Sequence, residues 1–106
     1  MFEVAVEIIR YADDSQPGWV ECRLRDAFEK EWFFVEKVPV VSMEYLDRAS
    51  SYPKPGTIAC QVVSRRELDD GRELVLIDTQ HPWGVSSTTG EDRFEVEAGQ
   101  ILETGP

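Results

Sequence analysis

Pro17-Gly18-Trp19-Val20-Glu21-Cys22-Arg23-Leu24, followed after a polar turn by Trp32-Phe33-Phe34-Val35-Glu36, decides the fold, because its pattern returns later in the chain. The second version reads Pro55-Gly56-Thr57-Ile58-Ala59-Cys60-Gln61-Val62, then a turn, then Leu74-Val75-Leu76-Ile77-Asp78. Each begins with Pro-Gly, alternates apolar and polar residues with period two, reverses, and returns through an apolar run that ends in an acid. Period-two alternation marks a strand with one face buried. Two β-hairpins follow, at about 18–36 and about 56–79. Three matched positions (Pro17/Pro55, Gly18/Gly56, Cys22/Cys60) are too few to separate an internal duplication from convergence of two similar hairpins.

The return legs are unusual. Trp32-Phe33-Phe34-Val35 and Leu74-Val75-Leu76-Ile77 are apolar on both faces, which a strand open to water on one side is not. Something in the chain or in a partner must cover the second face. In the first hairpin, Asp26 to Lys30 reverse the chain without Gly, so the turn does not set the register. In the second, Asp70-Gly71 predicts a two-residue type I′ turn. That turn places Val62 opposite Thr79, Ser64 opposite Ile77 and Arg66 opposite Val75. Ile58, Cys60, Val62, Val75 and Ile77 then share one face, and Leu74 and Leu76 lie beside Val63 and Arg65 on the other.

Outside the hairpins, Phe2, Val4, Val6 and Ile8 predict an N-terminal strand that ends in the turn formers Ala12 to Gly18. Val38 to Val41 read as a short strand interrupted by Pro39. Ser42 then caps a helix of about two turns that carries Met43, Leu46 and Ala49 on one side. Val85 to Gly90 read as a mobile loop or weak strand, Arg93 to Glu97 as a closing strand, and Ile101-Leu102 as an anchor. The predicted fold is all-β with one short helix. It is a small antiparallel barrel or strongly bent sheet of five or six strands, SH3-like or OB-like. Residues 1–106 form a single domain with a frayed tail from about 103.

Eleven basic against twenty-one acidic residues give a net charge of −10 and a pI near 4.4. The acids are dispersed, which makes a solvated surface rather than an acidic tail. Such a surface repels a phosphate backbone, so an RNA-binding barrel fits the strand count but not the charge. Two cysteines are not a disulfide framework. Met1-Phe2-Glu3 has no basic leader, and no apolar run reaches membrane-span length. The expectation is a cytoplasmic protein with two buried thiols and no membrane partner.

Candidate chemistry is sparse. His81, the one histidine, follows Asp78 by three residues, and a carboxylate that orients an imidazole is half of a nucleophilic apparatus. No spacing selects Ser86, Ser87 or a thiol as the nucleophile. Cys22 and Cys60 sit among apolar neighbours that raise thiol pKa values. One histidine and two strand cysteines are a poor zinc set, and no phosphate-binding or dinucleotide motif is present. No catalytic residue, metal or cofactor is assigned.

The aromatic residues carry more. Trp and Tyr are enriched at binding hot spots, and a contiguous exposed apolar patch marks an interface. The expected function is a non-enzymatic protein-interaction module. Trp19, Trp32, Phe34, Leu74 and Leu76 would meet a protein partner or a second copy, and the acidic surface would suit a basic target in an inhibitor- or immunity-type complex. The alternative is a small-molecule-binding protein or small enzyme with its pocket near Asp78, His81 and Trp83.

Overall fold

In the computed structural model, which describes residues 1–104, the N-terminal alternating run forms β1 (Phe2–Asp13). β2 (Trp19–Arg25) and β3 (Glu31–Lys37) make the first hairpin, in register from Trp19 opposite Lys37 to Arg25 opposite Glu31. β4 (Lys54–Glu67) and β5 (Glu73–Asp78) make the second. β6 (Arg93–Glu97) pairs with β5, and β7 (Ile101–Glu103) pairs with the start of β1. The strand order is β3-β2-β1-β4-β5-β6, all antiparallel, so the two hairpins flank β1. β7 continues the line of β2 along the same edge of β1, and the Gln100 amide stitches the junction by donating to the Arg25 carbonyl at 2.8 Å.

The sheet is strongly bent, and β4 carries the bend. Lys54 to Cys60 pair with β1, whereas Gln61 to Glu67 pair with β5. Between Val62 and Ser64 the register slips, so Val63 is an extra, bulged residue, and bulges bend the strand that holds them. The bend brings the outer strands β3 and β6 toward each other. Phe94 meets the rings of Trp32 and Phe34 edge-on at 5.3 and 5.7 Å. Ala27 N–H donates to the Glu95 carbonyl (2.9 Å), and Thr88 N–H to the Phe33 carbonyl (2.7 Å). The result is a curled half-barrel whose gap is crossed by a turn and a loop rather than by a ladder.

Alternation sorts the residues as the period requires. Val4, Ile8, Val20, Cys22, Leu24, Phe34, Ile58, Val75, Ile77 and Val96 face the inside of the curl and are buried. Each such aliphatic side chain contributes about 1.5–3 kcal/mol by leaving water, and β-branched residues suit the pleated surface.

The inner faces of both doubly apolar return legs are covered from within the chain, and so is the outer face of β5, whereas on the outer face of β3 Phe33 is half-buried and Val35 is exposed. On β3, Trp32 and Phe34 face inward onto Phe94. On β5, Val75 and Ile77 face inward, and Leu74 and Leu76 face out. Arg66 of β4 lies opposite Leu74, and Glu95 of β6 lies opposite Leu76. Their bidentate ion pair (2.6 and 2.9 Å) therefore arches across β5 and lays the arginine stem over its leucines.

Four expectations are corrected. The helix is not Ser42 to Ala49 but α1, the single turn Val38–Val41. Pro39 sits there in the first turn, where a missing N–H costs nothing, and Ser42 is its C-cap. Residues 42–53 are irregular. The second hairpin closes with three residues, because Leu68 N–H bonds the Arg72 carbonyl and only Gly71 has positive φ (+88°). A type I′ turn needs positive φ at Asp70 too. Hence Val62 lies opposite Ile77, Ser64 opposite Leu76 and Arg66 opposite Leu74, and it is Arg66, not Arg65, that joins the outer leucines. Val85 to Gly90 form a packed loop in which Val85 and Ser87 are buried. At the C-terminus Glu103 pairs with Phe2 and Thr104 N–H bonds the Met1 carbonyl, so those residues are held; 105–106 lie outside the described residues.

The two Pro-Gly pairs do different work. Gly18 takes φ +97° in the turn before β2. Gly56 lies inside β4, where a Cβ would come within 2.8 Å of Ile8 and 3.0 Å of the Val41 carbonyl.

Candidate functional site

The five expected contact residues do not converge. Trp19 is half-buried on the outer face, with the Lys37 ammonium 5.6 Å from its ring. Trp32, at the other end of the hairpin, is half-buried on the inner face. Its indole N–H donates to Asp26 (3.0 Å), and Lys30 lies 4.2 Å over its ring. Phe34 and Leu74 are fully buried and have no area to offer, and Leu76 is half-buried beside the Arg66–Glu95 bridge. The sheet unites Trp32 and Phe34, but as core.

The corner at the end of β5 is closer to its expectation. Asp78 is buried, and one of its oxygens lies 3.4 Å from His81 Nδ1 and 3.8 Å from the Arg93 guanidinium. The other oxygen accepts the Gln80 N–H at 2.8 Å. This local bond is an Asx-turn, so the carboxylate holds the chain reversal as well as facing the imidazole. Trp83 is 53% exposed at the tip. The Ser87 hydroxyl donates to Glu91 (2.9 Å), which directs it to its own loop. Burial pushes the thiols of Cys22 and Cys60 up to about 12 and about 11, with nearby Glu36 and Glu3 respectively adding to the effect. Both therefore stay protonated and non-nucleophilic at neutral pH. Among the described residues no three His, Cys, Asp or Glu side chains converge to hold a metal ion, and no helix is long and apolar enough to cross a membrane.

The most exposed apolar side chains lie elsewhere, on the irregular segment between α1 and β4. Met43 is fully exposed and Tyr45 is 85% exposed. The Ser42 hydroxyl accepts the Glu44 N–H (3.0 Å) and fixes the bend between them. On one side lies a concavity of about 580 Å³, floored by Pro17, Val38, Pro39 and Leu46. On the other lies one of about 340 Å³, bounded by Val6, Val41, Gly56 and Leu102. Sequence reasoning placed Met43 on a buried helical face because its spacing to Leu46 matches one turn. In the irregular segment only Leu46 is buried.

Charge supplies the second feature. Every arginine lies within 4.0 Å of a carboxylate, Lys54 pairs with Glu44, and Lys30 and Lys37 lie over tryptophan rings. Among the described residues many acids, Glu3, Glu29, Glu67, Asp69 and Asp92 among them, are left without an ion pair, so the surplus negative charge is not cancelled locally. Compared with protein-family models, curated proteins and solved structures, the chain finds no match, and the functional reading rests on its own geometry.

Proposed function

We propose that this chain is a non-enzymatic protein-interaction module that binds a basic protein partner, with Met43 and Tyr45 as its apolar anchors. The observation that supports this is that they are the most exposed large apolar side chains among the described residues and lie side by side at an apolar concavity. Large side chains that fill pockets carry most of the energy of an interface, and the surrounding charges set partner choice and association rate. A chain whose cations are all engaged internally attracts cationic surfaces and repels acidic ones. The corner at Asp78, His81 and Trp83 has less in its favour as a small-molecule site, because Asp78 is committed to its own turn.

The test is fluorescence anisotropy with a panel of synthetic lysine- and arginine-rich peptides, each bearing one leucine or phenylalanine, at low and high salt. Binding is expected to weaken steeply with salt, and Met43→Ser with Tyr45→Ser to weaken it by roughly tenfold without lowering the melting temperature. Equal binding by the double variant would overturn the reading. Light scattering at two protein concentrations adds a second check: a dimer abolished by the same substitutions would reassign the patch to contact between copies.

A further inference from the structure

At the opposite end of the first hairpin from Trp19, the turn that joins β2 to β3 opens onto a cavity of about 510 Å³. Its wall includes Arg25, Asp26, Phe28, Glu29, Arg72 and Glu97. The charges inside are unequally committed. Arg25 donates to Glu31 at 2.9 Å. Arg72 donates to Asp70 and Glu97, both at 3.0 Å, and to the Ala27 carbonyl at 3.3 Å, so it ties the tips of the two hairpins together. Asp26 accepts from Phe28 N–H (2.8 Å), Lys30 N–H (3.0 Å) and the Trp32 indole (3.0 Å), and its oxygens are occupied. Two groups in the wall are left with free capacity. Among the described residues the Glu29 carboxylate forms no ion pair, acting on Arg25 only through space, and the Phe28 ring is 57% exposed.

We propose that this cavity receives an arginine side chain from the basic partner, with its guanidinium against the Phe28 ring and bonded to the Glu29 carboxylate. The inference rests on the reading that the partner is basic, and it names a second point of contact, away from Met43 and Tyr45. An exposed aromatic ring attracts a cation placed over its face. A planar guanidinium can stack on the ring and present two parallel N–H groups to a carboxylate at once, which a lysine ammonium cannot. The two resident guanidiniums do not oppose entry, since carboxylates already meet both. The Asp26 network holds the turn in place before anything binds, which reduces the ordering that binding costs.

The experiment is a two-dimensional ¹H–¹⁵N titration of the whole chain with N-acetyl-arginine amide, and in parallel with the lysine and leucine amides. Arginine amide is expected to shift residues 25–30, 72 and 97, with millimolar-range affinity on the order expected for one side chain. The lysine amide should shift them less and the leucine amide hardly at all. Phe28→Ala and Glu29→Gln should each weaken the arginine response several-fold. Glu29→Gly is the decisive variant: at φ +65° glycine relieves strain, so its melting temperature should hold or rise while the response is lost. Shifts spread over carboxylates across the surface, equal shifts with leucine amide, or an undiminished response in Glu29→Gly would each overturn the site. Met43→Ser with Tyr45→Ser leaves this titration unchanged. Loss of the arginine site alone, with salt-sensitive peptide binding at Met43 and Tyr45 intact, would remove this inference and leave the proposed function standing.

Discussion

Single residues show what the inside of the curl tolerates. Cys22 pairs with Phe34 inside the first hairpin and Cys60 with Phe2 of β1, and both thiols are raised by burial. A thiol held above its unfolded value contributes stability that is complete below the ordinary thiol range and disappears as pH climbs through the folded value. Unfolding is therefore expected to become easier from the ordinary thiol range up to about 11–12, measured as a falling urea midpoint. A disulfide-exchange reagent should label both cysteines only after denaturant is added. Glu36 lies opposite Val20 on the inner face, and desolvation raises its carboxyl against a smaller lowering by Lys37. By the same sign rule, its favourable contribution is complete in acid and lost as pH rises through the folded value, so the ionised form is a burden at neutrality. Glu36→Gln is expected to raise the melting temperature by about 2–5 °C at neutral pH and to lose that gain in acid. Gly56→Ala should cost roughly 1–3 kcal/mol through overpacking, read from urea unfolding, because the Val41 carbonyl beside it is backbone and Ile8 is fully buried.

At the scale of elements, the strands were legible because alternation is a local signal, whereas register was not. Asp70-Gly71 is a strong turn marker, yet the Asp70 carboxylate accepts the Arg72 N–H at 3.0 Å and the loop settles as three residues. The shift moved Arg66 over the outer leucines, and no neighbour in sequence announces that role. If its stem rather than its charge is what covers β5, Arg66→Met should be nearly neutral. Arg66→Ser should cost roughly 0.5–1 kcal/mol in urea unfolding, since the ion pair itself is exposed and worth little. The helix was misplaced for a related reason. Three-residue spacing from Met43 to Ala49 looks helical, but Ser42 and Asp47 turn their side chains onto nearby N–H groups, and such local bonds compete with helix formation. The same competition sets Met43 and Tyr45 on the surface, which is why the candidate contact surface escaped a reading based on periodicity.

Over the whole molecule, charge and curvature act together. Salt screens both the local ion pairs and the repulsion of the surplus acids. With a net charge of −10 the repulsion dominates, so moderate salt is expected to raise the melting temperature while it weakens any complex with a cationic partner. The bent all-β sheet was legible from the two hairpins. The means of closing it was not, since the contacts of Phe94 with Trp32 and Phe34 join residues about sixty apart in the chain. Val63 acts in this closure as a crease. Excising it would leave Val62 opposite Ile77 and Ser64 opposite Leu76 in an unbroken ladder, so nothing would change face and nothing would oblige the sheet to fold over. A chain lacking that one residue should keep its strand content by far-ultraviolet dichroism yet lose near-ultraviolet signal from the Trp32–Phe94 contact. It would be a flatter sheet with its aromatic seam ajar.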